Sequence, residues 1–456
     1  MANTADILGE QETLDGLVAH TLEEFEDSRI STVRQYAFYY NDGLKSVNLP
    51  NANITSDNVF SYCHNIENIK IPKTTTINNS LFDYCYKLNS LDISNANRLN
   101  SSNIFRYCYS LNDIDLSNIT YVANNALVYT GFGTIILPNC TSLSTYVGQG
   151  KRTSTIDLSK NITINGNKFN GANSLVHLIL RSDTLCSLSA TSAFTSTPIA
   201  SGLGWIYVPS DLVDSYKTAS NWSTYANQII SLDEYPKALS GETITDSWDE
   251  IFQAESDGSY KTKYSVGDTK YLVIGGTYVL MQIIAFDRDI LSSDHTSTAK
   301  ITWLAKSLSF EFPMNFTEVT EGGWADCECR KFLSDTIYGQ IPENVRNKIV
   351  AVDKTYTATS SSSSTTTVSD KLWIPSAREI CGGSSYENSG IDYTDFFTSN
   401  SARIKHDGLL TNSASNWWLR SVYSSTNFPN VYTTGDVNAS YVSVSTSRGV
   451  ALGFCT

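Results

Sequence analysis

Cys63, Cys85 and Cys108 recur 22 and 23 residues apart, in the near-identical settings SYC, DYC and RYC. A column of thiols on a fixed beat could hold a soft metal or exchange electrons. Each sits in an apolar stretch, however, and a free cysteine packs as a small apolar residue. The column therefore reads as buried thiols, with nothing local that demands a bridge. Cys327 and Cys329 form a C-x-C without the second pair that a zinc site takes. Nine cysteines in a chain of 456 residues do not make a disulfide framework. Asp287, Asp289 and Asp294 cluster oxygen ligands in FDRDILSSDH. Their spacing completes no calcium loop, though calcium is the ion such oxygens suit; no cofactor is expected. The histidines (His20, His64, His177, His295 and His406) are scattered, and no G-x-S-x-G elbow, H-E-x-x-H or phosphate loop is present. Catalysis is not expected.

The cysteines belong to a longer repeat. AFYYNDGLKSVNLP (37–50), VFSYCHNIENIKIP (59–72), LFDYCYKLNSLDIS (81–94) and IFRYCYSLNDIDLS (104–117) align, with Phe38, Phe60, Phe82 and Phe105 separated by 22, 22 and 23 residues. A period in the low twenties is the signature of a leucine-rich solenoid. The triplets Leu44/Val47/Leu49, Ile66/Ile69/Ile71, Leu88/Leu91/Ile93, Leu111/Ile114/Leu116 and Leu175/Leu178/Leu180 end in alternation, which predicts a short strand with one buried face per turn. Stacked in parallel, these strands advance about 5 Å per repeat. The beat continues through STIDLS and LVHLIL, giving roughly eight turns. GWIYVPSDLVDSYKTASNWSTYANQIISL (204–232) reads as a helical cap on the open end. At the other end, Leu8, Leu14, Leu17 and Leu22 suit a helical stripe among acidic residues, so residues 1–29 read as a cap or attachment segment.

Residues 30–235 resemble the BspA-like leucine-rich repeat family. That resemblance implies a β-solenoid that presents a long binding surface, and it leaves the partner open.

A turn-rich connector, residues 236–245, leads to a different region, 246–456. YLVIGGTYVLMQIIAFDRD and AKITWLAKSLSFEF predict strands, with Gly275 and Gly276 at a turn. Trp324 to Ile337 and Pro342 to Ile349 predict helices. TATSSSSSTTTVSD (357–370) predicts an exposed low-complexity loop, and short strands close the chain. The whole is an α+β mixture. SWDEI, YKTKYSVGDTK, MQIIAFDRD, GGWADCECRKFL, KLWIPS, WWLRS and GVALGFC resemble an uncharacterised C-terminal domain of gut bacteria and their phages. The last two segments also resemble the closing strands of C-type-lectin-like folds, including the sulfatase-modifying-enzyme branch. An oxidase of that branch is the enzymatic alternative, with Cys381 and Cys455 its candidate thiols by elimination.

In residues 411–448, Asn, Ser, Thr and Tyr fill 22 of 38 positions. Rigid aromatics amid adaptable polar groups are the chemistry of binding loops. Trp417, Leu419, Val450, Leu452 and Phe454 read as core; Arg420 is expected to pair with a buried acid. The turns 423–447 predict a ligand face made of Tyr423, Asn427, Phe428, Asn430, Tyr432, Asp436, Asn438 and Tyr441. A net charge of −14 argues against nucleic acid, which needs a basic stripe. No run of apolar residues is long enough to span a membrane, and MANTADILGEQETLDGLVAH carries no secretory pattern. These features together predict a phage tail-tip or tail-fibre receptor-binding protein. Its solenoid would be a stiff spacer and its C-terminal region a ligand-reading tip, and its partners a bacterial surface receptor, protein or glycan, and other tail or baseplate proteins. A homo-oligomer such as a trimer would add avidity. The alternative is a BspA-type bacterial surface adhesin.

Overall fold

The computed structural model describes residues 22–358, 365–382, 387, 389–438 and 442–456. They form two compact units that divide between Leu239 and Ser240.

The first unit is a parallel solenoid of nine ladder strands in two sheets. One sheet holds β1 (Glu24–Glu26), β2 (Ser46–Asn48), β3 (Asn68–Lys70) and β4 (Ser90–Asp92). The other holds β5 (Thr134–Leu137), β6 (Thr155–Leu158), β7 (His177–Leu180), β8 (Trp205–Val208) and β9 (Ile229–Ser231). Registers place equivalent residues in line, Val47 beside Ile69 and Ile69 beside Leu91. The inward positions are apolar because every second residue of a strand faces the core. Behind the strands Phe38, Phe60, Phe82 and Phe105 stack within 9° of parallel at 5.3, 5.9 and 5.5 Å. The cysteine column lies beside them, fully buried. Each thiol reaches back to a phenylalanine carbonyl; Cys85 Sγ donates to Phe60 O at 3.1 Å.

Two expectations change here. The described end of the acidic segment expected to be helical is a strand instead: Phe25 in β1 registers with Val47. A three-residue strand is too short to show a period. Leu8, Leu14 and Leu17 lie outside the described residues. Second, the ladder skips a rung. Residues 112–116 form no strand, and Ile114 is only half-buried although Leu111 and Leu116 are core. A cleft of about 630 Å3 opens there, bordered by Leu91, Ile114 and the exposed Ile136. From behind, the buried Arg152 bonds Tyr109 O at 3.4 Å and Asn112 Oδ1 at 3.2 Å. A second ladder, of two-residue strands at Thr76–Ile77, Arg98–Leu99, Tyr121–Val122 and Ser142–Leu143, runs on past the gap.

The solenoid ends in short helical turns. Helix α1 (Val213–Thr218) and a 3-10 turn (Trp222–Tyr225) seal the end. Trp222 Nε1 donates to Cys186 O at 2.7 Å, and the Cys186 amide donates to Tyr216 Oη at 2.9 Å. Residues 236–245 are not a free connector. The Lys237 amide bonds Tyr207 Oη within the solenoid unit, while Thr243 and Glu242 bond Thr269 and Tyr271 within the second unit.

The second unit is a mixed domain with several sheets and few long helices. Helix α2 (Trp248–Asp257) starts at a capping box, Ser247 with Glu250. Strands β10 (Thr269–Ile274) and β11 (Thr277–Phe286) form a hairpin. Gly275 and Gly276 sit at its turn with φ of 52° and 77°, which glycine adopts freely. Next to β11 come β12 (Ile301–Ala305) and then the last strand, Gly453–Cys455. A second sheet joins Trp417–Trp418, Asn430–Val431, Val437–Asn438, Arg448–Gly449 and Glu311–Phe312. The serine-rich stretch read as a loop contains a strand: β13 (Val352–Thr357) pairs with β14 (Thr365–Asp370). TTTVSD has the β-branched residues that suit a pleated surface, and low complexity hid them. Residues 359–364 lie outside the described set. Helix α3 (Ala377–Cys381) starts at another capping box, Ser376 with Glu379.

Candidate functional site

The predicted ligand face scatters. Tyr423 is 45% exposed, and Asp436 is exposed with its carboxylate accepting from Asn400 and Thr434. Asn427, Tyr432 and Asn438 are half-buried. Phe428 and Asn430 are fully buried and are corrected to core: Phe428 faces the interior, and Asn430 Nδ2 donates inward to Asn438 O at 3.2 Å. Tyr441 lies outside the described residues. The tryptophans that would anchor an aromatic patch, Trp417 and Trp418, are also internal, as are Leu419, Val450, Leu452 and Phe454. Composition identifies contact-type residues, but it does not tell which side of a two-residue strand they face.

The expected partner of Arg420 is Glu379. Two parallel bonds of 2.6 and 2.8 Å join them. Lys354 extends the network to Asp289 at 2.6 Å, Glu379 at 3.1 Å and Tyr393 Oη at 3.0 Å, and lies 3.4 Å over the Trp373 ring. All five polar groups are buried. Burial pushes the Asp289 carboxyl up, but Lys354 and hydrogen bonds outweigh it and hold it below the usual range. Burial likewise acts on Glu379, where Arg420 and Lys354 prevail. Mutual pairing makes this a core staple, since every charge has a counter-charge.

Asp287, Asp289 and Asp294 part company. Asp287 accepts from Tyr260 Oη at 2.5 Å, Asp289 joins the network above, and Asp294 accepts from the amides of Thr296 and Ser297. Among the described residues no three His, Cys, Asp or Glu side chains gather as metal ligands. Burial pushes the Cys63 and Cys327 thiols up to about 12, and raises Cys381 and Cys455 too.

The surface that does stand out is on the solenoid. Tyr40, Tyr62, Tyr84, Tyr107 and Tyr129 occupy one position in successive turns. Tyr40 and Tyr62 stack at 4.6 Å and 7°, and Tyr62 and Tyr84 at 4.4 Å and 11°; Tyr84 and Tyr107 are 4.6 Å apart, and Tyr107 and Tyr129 6.0 Å. Tyr39 packs edge-on against Tyr40 and Tyr62, and Tyr36 against Tyr39. Tyr36, Tyr39 and Tyr40 are exposed; the four later rings of the column are half-buried. Arg106 lies 5.2 and 5.3 Å from the rings of Tyr84 and Tyr107, while its Nε donates to buried Asp83 at 2.9 Å. A second, buried column runs alongside: His64 to Tyr86 at 5.4 Å, Tyr86 to Tyr109 at 5.9 Å. Burial pushes the Tyr62 hydroxyl up to about 12, so it stays a neutral donor and acceptor.

Local geometry creates the column. All five tyrosines have left-handed backbone, with φ between 50° and 63°. For a residue other than glycine this costs roughly 1–2 kcal/mol. The next two turns put Gly150 and Gly171 at the same place, with φ of 127° and 76°. Glycine therefore meets the backbone requirement where no ring is present, and five turns carry a bulky side chain against it. The sequence signal was in plain sight, a tyrosine two residues after each of the four repeated phenylalanines, but left-handed φ is not legible from tyrosine.

Residues 31–152 match the BspA type leucine rich repeat region, in six copies, and residues 298–455 match a domain of unknown function, DUF6273. No curated protein matches the chain. Solved structures similar to it include a leucine rich cell surface protein from Faecalibacterium prausnitzii A2-165, with 15% identity and a TM-score of 0.26 over 37% of this chain and 65% of that one. A leucine-rich repeat protein from Bacteroides ovatus has 19% identity and a TM-score of 0.28, covering 41% and 69%. A leucine rich repeat protein of T. pallidum has 18% identity and a TM-score of 0.23, covering 35% and 66%. The chain thus spans just under two thirds of the first of these.

Proposed function

We propose that this chain acts by adhesion rather than catalysis, and that the tyrosine column of the solenoid is its grip on a bacterial surface, protein or glycan. One observation carries the reading: five tyrosines held in a strained conformation at a position that later turns give to glycine. Strain retained in successive turns points to what the side chains do. Stacked rings are already ordered, so they lose little freedom on contact, and tyrosine offers both an apolar edge and a hydroxyl. The raised thiols speak against the oxidase alternative, because a reactive cysteine needs its thiolate.

The setting proposed is a phage tail tip, with the chain as receptor-binding protein, a lectin-like C-terminal unit, tail or baseplate partners and a homo-oligomer such as a trimer to multiply weak contacts. A bacterial surface adhesin is the second reading, and the BspA type match over residues 31–152 favours it. Labelled antibody distinguishes them by decorating virions or cells. The grip is tested with the full chain carrying Tyr40→Asn, Tyr62→Asn and Tyr84→Asn, since asparagine tolerates left-handed backbone. Adherence to host cells should fall at least about tenfold, while Tyr423→Ala leaves it unchanged. The reverse result would move the site to the C-terminal unit.

A further inference from the structure

The C-terminal unit contains a cleft of about 250 Å3 beside α3. Glu387 lines it and is 3% exposed. Its Oε2 accepts from the Arg378 amide at 3.0 Å, whereas Oε1 is buried with no hydrogen-bond partner. A buried carboxylate oxygen without a donor is uncommon, and it marks a place for something else. Five charged side chains line the cleft: Asp353, Arg378, Glu379, Glu387 and Arg420. Glu379 and Arg420 neutralise each other. Arg378 spends its Nε on Gly390 O, and Asp353 faces the exposed His295 at 2.7 Å. Asp353 is matched by His295, which leaves Glu387 beside Arg378, and its open Oε1 is the anionic atom a cation entering the cleft would meet. A metal ion would need several converging oxygens, and among the described residues no such group is assembled. An ammonium group needs one carboxylate and neighbouring hydroxyls, and Thr355 and Thr367, paired at 3.4 Å, bring hydroxyls to the lining of the cleft.

We propose that this cleft binds a small hydroxylated primary amine, of the amino-sugar or amino-alcohol class, with its ammonium group docked on Glu387 Oε1. Burial also pushes Glu387 up to about 7, against the pull of Arg420 and the Ser376 hydroxyl. The site stands independently of the solenoid reading.

Calorimetric titration of the full chain at about pH 8, where Glu387 is ionised, tests it with D-glucosamine, ethanolamine and N-acetylglucosamine. Both amines should bind and the acetylated sugar should not. Glu387→Gln should weaken amine binding at least about tenfold, the worth of a hydrogen bond to a charged group. Absence of amine binding, equal binding of N-acetylglucosamine, or undiminished binding by Glu387→Gln would each overturn the proposal. Should Glu387→Gln fail to fold, Arg378→Ala removes the competing cation and should tighten D-glucosamine about two- to fivefold; unchanged or weaker affinity would overturn it.

Discussion

The two units solve the problem of holding a core together in opposite ways. In the solenoid, hydrogen bonds between side chains or backbone mostly join residues one turn apart, such as Asn48 to Glu26, Asn95 to Pro72 and Arg181 to Asp157. Its interior is a column of phenylalanines and aliphatics that any turn can extend. In the C-terminal unit the decisive bonds cross long stretches of chain: Tyr393 to Asp289, Trp418 to Phe312, Thr456 to Glu255. Its centre contains buried charge, Lys354, Asp289, Glu379 and Arg420. Periodic packing leaves a regular exterior free to be decorated, whereas a long-range core ties up its polar groups inside.

The sharpest way to break the contrast is Arg420→Ala. It strips Glu379 of its bidentate partner in a buried site and should cost about 3–5 kcal/mol. Chemical denaturation followed by hydrogen exchange should show the loss in the C-terminal unit alone; an equal loss in the solenoid would erase the distinction. Acid and base form the next test. Burial raises Glu387 to about 7, with Arg420 opposing and Glu379 adding to the shift. Its folded pKa exceeds the unfolded value, so the C-terminal unit loses stability as pH climbs from about 4.5 to 7. Glu387→Gln should then be about 3 kcal/mol more stable than the parent above pH 7, and no different below pH 4.5. Burial instead lowers His177, beside Tyr207 Oη at 2.9 Å, to about 4. Its folded pKa lies below the unfolded one, so the solenoid is at full stability above about pH 6.5 and loses about 3 kcal/mol as pH falls to 4. Opposite pH slopes in the two units are expected by hydrogen exchange, and parallel slopes would defeat the assignment. The smallest effect belongs to the surface: Tyr84→Asn trades stacking for relief of left-handed strain, and stability should move by less than about 1 kcal/mol. A larger loss in thermal unfolding would make the column structural rather than a grip.

Legibility follows the same division. Phe38, Phe60, Phe82 and Phe105 announced their stacking because the contact repeats at the spacing of the chain itself. The hairpin at Gly275–Gly276 was equally plain, since alternation and a turn signal lie side by side. Arg420 was readable as a residue wanting an acid, yet Glu379 and Lys354 are brought to it only by tertiary folding. Phe428 and Asn430 were misplaced because a polar, aromatic-rich stretch has the same composition whether its rings face in or out. The tyrosine column was missed for a different reason: its meaning lies in a backbone angle that tyrosine does not encode.

The skipped rung at 112–116 has a mechanical consequence. Between β4 and β5 no strand bridges the main ladder, and tension drawn along the rod passes instead through the narrow Arg98–Tyr121–Ser142 ladder, the Asn103–Asn125 and Tyr107–Tyr129 backbone bonds, the Phe105–Phe132 contact and Arg152. The tyrosine column crosses the same seam between Tyr107 and Tyr129, so a grip on the rings would load the place where the main ladder is interrupted.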